Sequence, residues 1–477
     1  MIMHANLTRR FEQADQVRFA GLSGDWNPIH VDPVAARRST YGQIVHGIHT
    51  VAWALDAHLA EPGSVPPVRI KVAFLKPINL SEEVHVVRIE EGGATVLLIR
   101  SGTRTFASIR LYPTASGVGL GDQAACAMPP AEPAKVPEEN IFDDLRGVEG
   151  VMEAWGATQL LRDGFPNLVG AIGPQRTAAL FALSRLVGMI CPGLNSVFAG
   201  FEIVFSGSDR ASISYKVTRH SIPNAPVRVA YAGAGVEGTL DAFVRPAPAR
   251  QPGMAEIRAE VRSNEFAGQV ALVVGGSRGL GETLAKIVAA GGGRPIVTYK
   301  VGELDARRVE EEIRSAGGVC RTLRLDVLNF GPVLAELVAE EAPPTHLYYF
   351  ASPVIQANKR PGLDRRLLDS FLGYYVEAFE AICRALARGK GARVFYPSTV
   401  YLEEAASGFA EYVCAKGAGE ALCGYLAFEY ANLSFLVERL PKMHTDQTNS
   451  FLEKKGADPL GVLLAAARKL QTMEVSR

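Results

Sequence analysis

Two groups of residues in this chain have the types and spacing for proton transfer. Asp25 and His30 stand five positions apart in the string FAGLSGDWNPIHVDPVAA, residues 19–36. Asn27-Pro28 biases the backbone there away from helix, so a loop can fold both side chains toward one point. A carboxylate and a neutral imidazole at one water share its handling: one takes its proton while the other orients it or delivers a proton elsewhere. That is the chemistry of adding or removing water. The second group is Tyr412 and Lys416 in EYVCAKGAGEAL, on one face of a helix, with Ser398 in YPSTVY 14 residues earlier at the end of a strand. A lysine cation beside a phenol lowers a pKa that starts near ~10, which suits Tyr412 to donate a proton to a carbonyl under reduction. Ser398 is placed to hydrogen-bond the same carbonyl.

A glycine-rich turn points to a cofactor for that reduction. After the apolar run VALVV comes GGSRGLG, with Gly275, Gly279 and Gly281 around Ser277, Arg278 and Leu280. Glycine is needed where backbone approaches a pyrophosphate, and the helix that follows offers N–H groups and partial positive charge to the phosphates. Arg278 in the turn and Lys300 at the end of the next strand suit a ribose 2′-phosphate, which favours NADP(H) over NAD(H). Glu303 is the competing acid.

The elements that must position these residues fall into three segments. With 477 residues, the chain is long enough for about three domains at roughly 150 residues each. The Ala/Pro-rich stretches 119–137 and 248–266 read as linkers, giving domains 1–118, 138–247 and 267–477. The first runs from the motif loop into a helix near 46–59 and then four strand-like runs, an α+β plan. The second repeats that order, with a helix at 176–189 and four further strand runs, but has no comparable motif and only His220 among its histidines. The third alternates apolar strands with helices, the pattern of a doubly wound parallel sheet.

The string Gly-Asp-x-Asn-Pro-x-His-x-Asp-Pro resembles the signature of MaoC-like, R-specific enoyl-thioester hydratases, whose fold is a hot-dog: one helix wrapped by an antiparallel sheet. The resemblance covers about residues 10–115 and makes Asp25 and His30 the catalytic pair. YGQIVHGIHT resembles the segment opening the hot-dog helix, where an N–H near the His-Gly step polarises the thioester carbonyl. Gly47 is thus the candidate oxyanion donor, with Asn27 the second candidate substrate contact. His46 and His49 read as packing around the helix start. Over 267–477 the chain resembles short-chain dehydrogenases/reductases, which carries catalytic roles to Ser398, Tyr412 and Lys416, a cofactor role to Lys416 and an adenine contact to Asp326. Thr399 competes with Ser398, because the family spacing to the tyrosine is 13. Phe350-Ala351-Ser352 stands where that family has Asn-Ala-Gly, Tyr374-Tyr375 where its relay Asn sits, and LPKMHTDQTNS lacks the usual Pro-Gly.

The expected fold is therefore an α+β double hot-dog followed by an α/β doubly wound, Rossmann-type parallel sheet. The expected function is bifunctional: NADPH-dependent reduction of a 3-oxoacyl thioester and its dehydration, or the reverse hydration, with acyl-CoA or an acyl carrier protein as the substrate carrier. The alternative keeps only the hydratase, with a degenerate NADP-binding half as scaffold or sensor. Fifty basic residues cancel fifty acidic ones, so no net field favours nucleic acid or an anionic membrane. The opening MIMHANLTRRFEQADQ lacks an apolar core and TAALFALSRLVGMICPG is broken by Arg185, so the expectation is a cytoplasmic protein, homo-oligomeric by analogy. Six cysteines without a Cys-x-x-Cys pair read as reduced, with no metal site.

Overall fold

The computed structural model describes residues 7–37, 39, 42–113, 126, 130, 135–207, 210–221, 225–245, 249–355, 362–443, 445 and 456–473. The chain forms two compact units, one built from Met1–Ala247 and the other from Pro248–Asn449 and Glu453–Arg477.

The first unit is one ten-stranded antiparallel sheet: β1 (Thr8–Arg10), β2 (Pro67–Phe74), β3 (Glu83–Glu91), β4 (Ala94–Ser101), β5 (Arg104–Pro113), β6 (Glu149–Glu153), β7 (Ser196–Phe205), β8 (Ser212–Arg219), β9 (Val227–Gly233) and β10 (Val236–Val244). The order β1-β3-β4-β5-β2-β7-β10-β9-β8-β6 is two copies of one five-strand arrangement, mirrored about the β2–β7 pair. That pair runs from Arg69↔Val204 to Ala73↔Gly200. At this junction a Cβ on Gly200 would sit 2.4 Å from the Val72 carbonyl oxygen, so glycine lets the two halves close into one sheet. Each half lays one apolar helix on the sheet, Gly47–Leu59 in the first and Pro174–Arg185 in the second. Nearly every residue of the second helix is buried, because it faces both the sheet and the first half.

The alternation of β3, β4 and β5 was legible in the sequence; two other features differ from expectation. The run RVAYAGAGVEG is not one strand. Gly233, Ala234 and Gly235 all take positive φ, folding it into the β9–β10 hairpin. The short edge strands β1 and β6 carry too few residues to show a period.

The second unit is a six-stranded parallel sheet of β11 (Val270–Val274), β12 (Arg294–Tyr299), β13 (Arg321–Arg324), β14 (His346–Tyr349), β15 (Ala392–Thr399) and β16 (Leu433–Leu440). Its order, β13-β12-β11-β14-β15-β16, reverses direction beside β11, the topological switch point of a doubly wound fold. One core lies on each face. The expected linker 248–266 is corrected here: Met254–Glu260 is a helix and Met254, Ile257, Val261 and Phe266 are buried in the second unit's core. Its Ala/Pro composition conceals an apolar i, i+3, i+7 stripe. Most of the other expected linker, 119–137, lies outside the described residues. No helix among them is long and apolar enough to cross a membrane.

Candidate functional sites

In the first unit, most of the motif string has a local structural duty. The helix Gln13–Ser23 ends at Gly24, whose φ of 76° is a left-handed cap. A Cβ at Gly24 would meet Trp155 at 2.5 Å. The Asn27 side chain accepts from Ile29 N–H and caps the helical turn Pro28–Val31. Asp32 does the same for Pro33–Ala36 through Val34 and Ala35 N–H, and each turn starts on proline. This tight geometry turns Asp25 and His30 to the same side.

The two side chains meet as expected. A carboxylate oxygen of Asp25, a ring nitrogen of His30 and a ring nitrogen of His46 lie within 4.8 Å of one another, a span that one water bridges. His30 Nδ1 donates to the Ile44 carbonyl at 2.9 Å, so in the neutral ring Nε2 is a bare acceptor. Burial lowers the His30 pKa below 6.5, against the pull of Asp25, and burial raises that of Asp25 above 3.8. Both line one cavity of about 210 Å³ together with Gly47, Lys76, Phe74, Phe106 and Phe198. Gly47 opens its helix, and the first N–H groups of a helix have no partner within it.

The second half contributes directly to this cavity. Ser184 Oγ donates to Asp25 Oδ2 at 2.6 Å. Arg185 stacks over Trp155 with its Cζ 4.2 Å from the ring centre and acts on Asp25 electrostatically; burial brings its pKa down to about 10. Gly188, Val187 and Phe198 complete the wall. Asn27 is corrected by the same contacts. Its amide donates to the Gly188 and Leu194 carbonyls at 2.7 and 3.2 Å, so it clamps the motif loop to the second half instead of presenting N–H to a substrate. His49, expected as packing, stacks on Phe19 at 4.7 Å, while His46 contacts the site itself.

Gly188 carries a sharp prediction. A Cβ there would lie 2.3 Å from Asp25 Oδ1, closer than real Cβ atoms come, so Gly188→Ala displaces the carboxylate. A displacement near 1 Å costs about 100-fold in rate. The expected result is a loss of that order in kcat/KM for an enoyl thioester, measured by steady-state kinetics, with the second unit's activity unchanged.

In the second unit the glycine turn has the form of a phosphate cradle. Gly275 has φ 79° and its Cβ would meet Ala351 N at 2.9 Å; one on Gly281 would meet the Gly275 carbonyl oxygen at 2.4 Å, while one on Gly279 meets nothing within 4 Å. Tight packing beneath and open space above fit a dinucleotide pyrophosphate over the N-terminus of the helix Gly279–Ala290. Ser277 is buried in the turn, Arg278 is the N-cap, and Leu280 follows Gly279 in the first turn. Lys300 and Asp326 are not separate contacts: they form an ion pair at 2.9 Å, so the cation expected for a 2′-phosphate already has an acid beside it.

The catalytic residues expected here meet only in part. Tyr412 lies on the helix Ala410–Glu429, and the hydroxyl that acts on its phenol is that of Thr399. Ser398, its neighbour on β15, faces the opposite side, as alternation on a strand requires. Thr399 therefore replaces Ser398 as the candidate carbonyl contact. The effect expected of Lys416 on the phenol is also corrected. Lys416 Nζ donates to the Pro397 carbonyl at 2.6 Å and sits 4.0 and 4.9 Å from the ring centres of Tyr375 and Tyr396. Burial pulls Lys416 down to about 7 and pushes Tyr412 up to about 12. Tyr375, at the relay position, shares a 2.6 Å hydrogen bond with Ser352.

Residues 3–109 match the model of the MaoC like domain. The (R)-specific enoyl-CoA hydratase of Aeromonas caviae is 33% identical over 84 residues, 17% of this chain and 62% of that protein, so the chain spans less than two thirds of its length. The NADPH-dependent aldehyde reductase 2, chloroplastic, of Arabidopsis thaliana is 28% identical over 184 residues, 34% of this chain and 67% of that protein. Among solved structures, the landomycin C-6 ketoreductase LanV with bound NADP and rabelomycin aligns at 22% identity and TM-score 0.39, over 44% of this chain and 94% of that one. The chain is thus similar to MaoC like domains over residues 3–109 and, over 34% of its length, to an NADPH-dependent aldehyde reductase.

Proposed function

We propose that the protein is a bifunctional acyl-thioester enzyme: an NADPH-dependent reductase of 3-oxoacyl thioesters joined to a dehydratase/hydratase that interconverts the 3-hydroxyacyl and 2-enoyl thioesters. The observation that carries the reading is the pairing of Asp25 with the bare Nε2 of His30 on one apolar-walled cavity. For hydration, a water between them gives its proton to His30 Nε2 while its oxygen bonds to C3 of the enoyl group. The C2–C3 π electrons move toward the thioester carbonyl, whose developing charge meets the Gly47 N–H. Asp25 holds the water by its other hydrogen, C2 then takes the proton that His30 Nε2 received, which restores the neutral ring, and dehydration is the reverse. The name of the Aeromonas caviae relative supports a thioester substrate.

In the second unit, Gly275, Ser277, Arg278, Gly279, Leu280 and Gly281 would hold the pyrophosphate, with the Lys300–Asp326 pair at the adenosine end. A bound nicotinamide supplies hydride to the carbonyl carbon. Tyr412 donates the proton to the carbonyl oxygen and Thr399 steadies it. The name of the Arabidopsis relative supports NADPH. A second reading, in which this unit binds NADP without catalysis, draws on the caged Lys416; Tyr412 with Thr399 favours activity.

Hydration of a crotonyl thioester by the purified chain tests the first activity. Because His30 must be neutral and burial lowers its pKa, hydration kcat/KM is expected to hold from neutral pH down past 6.5 and to fall only below it. A pH–rate profile whose acid limb lies at or above the ordinary imidazole value of ~6.5 would contradict this assignment.

A further inference from the structure

His46 is fully buried, and oxygen acceptors fix both of its ring nitrogens. Gln16 Oε1 lies 3.0 Å from Nδ1 and also accepts the main-chain N–H of His46 at 3.0 Å. That second bond fixes which way the Gln16 amide points, since turning it would set an NH₂ group against an N–H. Nδ1 must therefore carry a proton. Nε2 lies 3.0 Å from the main-chain carbonyl oxygen of Asp25, and a carbonyl oxygen only accepts, so Nε2 must carry one too. A ring with both nitrogens protonated is a cation, and the matching anion is at hand: Asp25 Oδ2 is 3.9 Å from Nε2.

The geometry points to His46 as a positioning residue, an imidazolium that forms a buried ion pair with the Asp25 carboxylate and holds that residue through its main-chain oxygen as well. The inference rests on the reading of Asp25 given above. The groups facing the ring come from every surrounding element. Gln16 and Phe19 lie on the helix Gln13–Ser23, Asp25 and His30 on the motif loop, and His49 on the ring's own helix; Arg185 acts through Asp25. Burial, His30 and His49 all favour a neutral ring. The two fixed acceptors and the carboxylate oppose them, and a charge-assisted bond in a low-dielectric site is the strong kind. His30, stacked on His46 at 3.9 Å, is kept neutral by the cation beside it, so one charge holds Asp25 ionised and His30 basic.

The test is the ¹⁵N spectrum of the full chain labelled at histidine, recorded at pH ~8.5, about two units above the ordinary imidazole value. One of the nine histidines is expected to show both ring nitrogens protonated, and to lose that state in Asp25→Asn and in His46→Gln. A wild-type spectrum in which every histidine is neutral at that pH overturns the inference, whether or not the protein hydrates a thioester and whether or not either variant folds. For His46→Gln the acid limb of the hydration profile, set by His30, is expected to move up by about one pH unit or more, because the like charge that disfavours a His30 imidazolium is gone. A limb that does not move also overturns it.

Discussion

Asp25→Asn is expected to lower kcat/KM for hydration of a short 2-enoyl thioester by about 10²- to 10⁴-fold, the usual contribution of one positioned proton-transfer group. The substitution keeps the volume, and the new amide oxygen can still accept from Ser184 Oγ, which lies 2.6 Å from Oδ2. The buried pair inferred between Asp25 and His46 loses its anion in this variant, and removing one partner of a buried pair is destabilising, so the thermal midpoint at neutral pH is expected to fall along with the activity. Steady-state kinetics at a temperature where the variant is still folded, beside a thermal melt, checks both parts. A folded variant that keeps full activity contradicts the role.

Tyr412→Phe is expected to remove carbonyl reduction by a similar 10²- to 10⁴-fold while leaving nicotinamide binding intact. The ring stays in its setting, with Phe371 at 5.7 Å and Tyr375 at 5.8 Å between ring centres, so only the hydroxyl facing Thr399 is lost. Burial pushes that phenol up to about 12, which keeps it protonated at neutral pH and available as a donor. The check is NADPH oxidation with a 3-oxoacyl thioester beside fluorescence titration of NADPH. Undiminished turnover in the variant would take Tyr412 out of the chemistry. A wild-type protein that binds NADPH and never oxidises it would favour the scaffold reading.

The local sequence carried the parts of these sites that depend on short-range geometry. Asp25 and His30 were legible because caps and prolines around them leave a recognisable string, although that string is mostly structural: Gly24, Asn27, Pro28 and Asp32 shape the loop and only two side chains remain for chemistry. The glycine turn was legible for the same reason, since backbone crowding at Gly275 and Gly281 demands that residue. What the sequence did not reveal depends on distance along the chain. Ser184 and Gly188 reach Asp25 from more than 150 positions away, and neither residue type draws attention in an apolar helix. Lys416 was misjudged because helical spacing places it on the face of Tyr412 but says nothing of the aromatic rings that capture it. The choice between Ser398 and Thr399 turned on strand alternation, which a one-residue error in register reverses.

The most direct test of the bifunctional assignment is to supply the purified chain with NADPH and a short 3-oxoacyl thioester and to identify the products by mass. The account predicts NADPH oxidation with the 3-hydroxyacyl and 2-enoyl thioesters both forming, and with the enoyl product absent in Asp25→Asn. No turnover with NADPH or NADH, together with hydration of a crotonyl thioester by the same preparation, would contradict it and leave a hydratase alone.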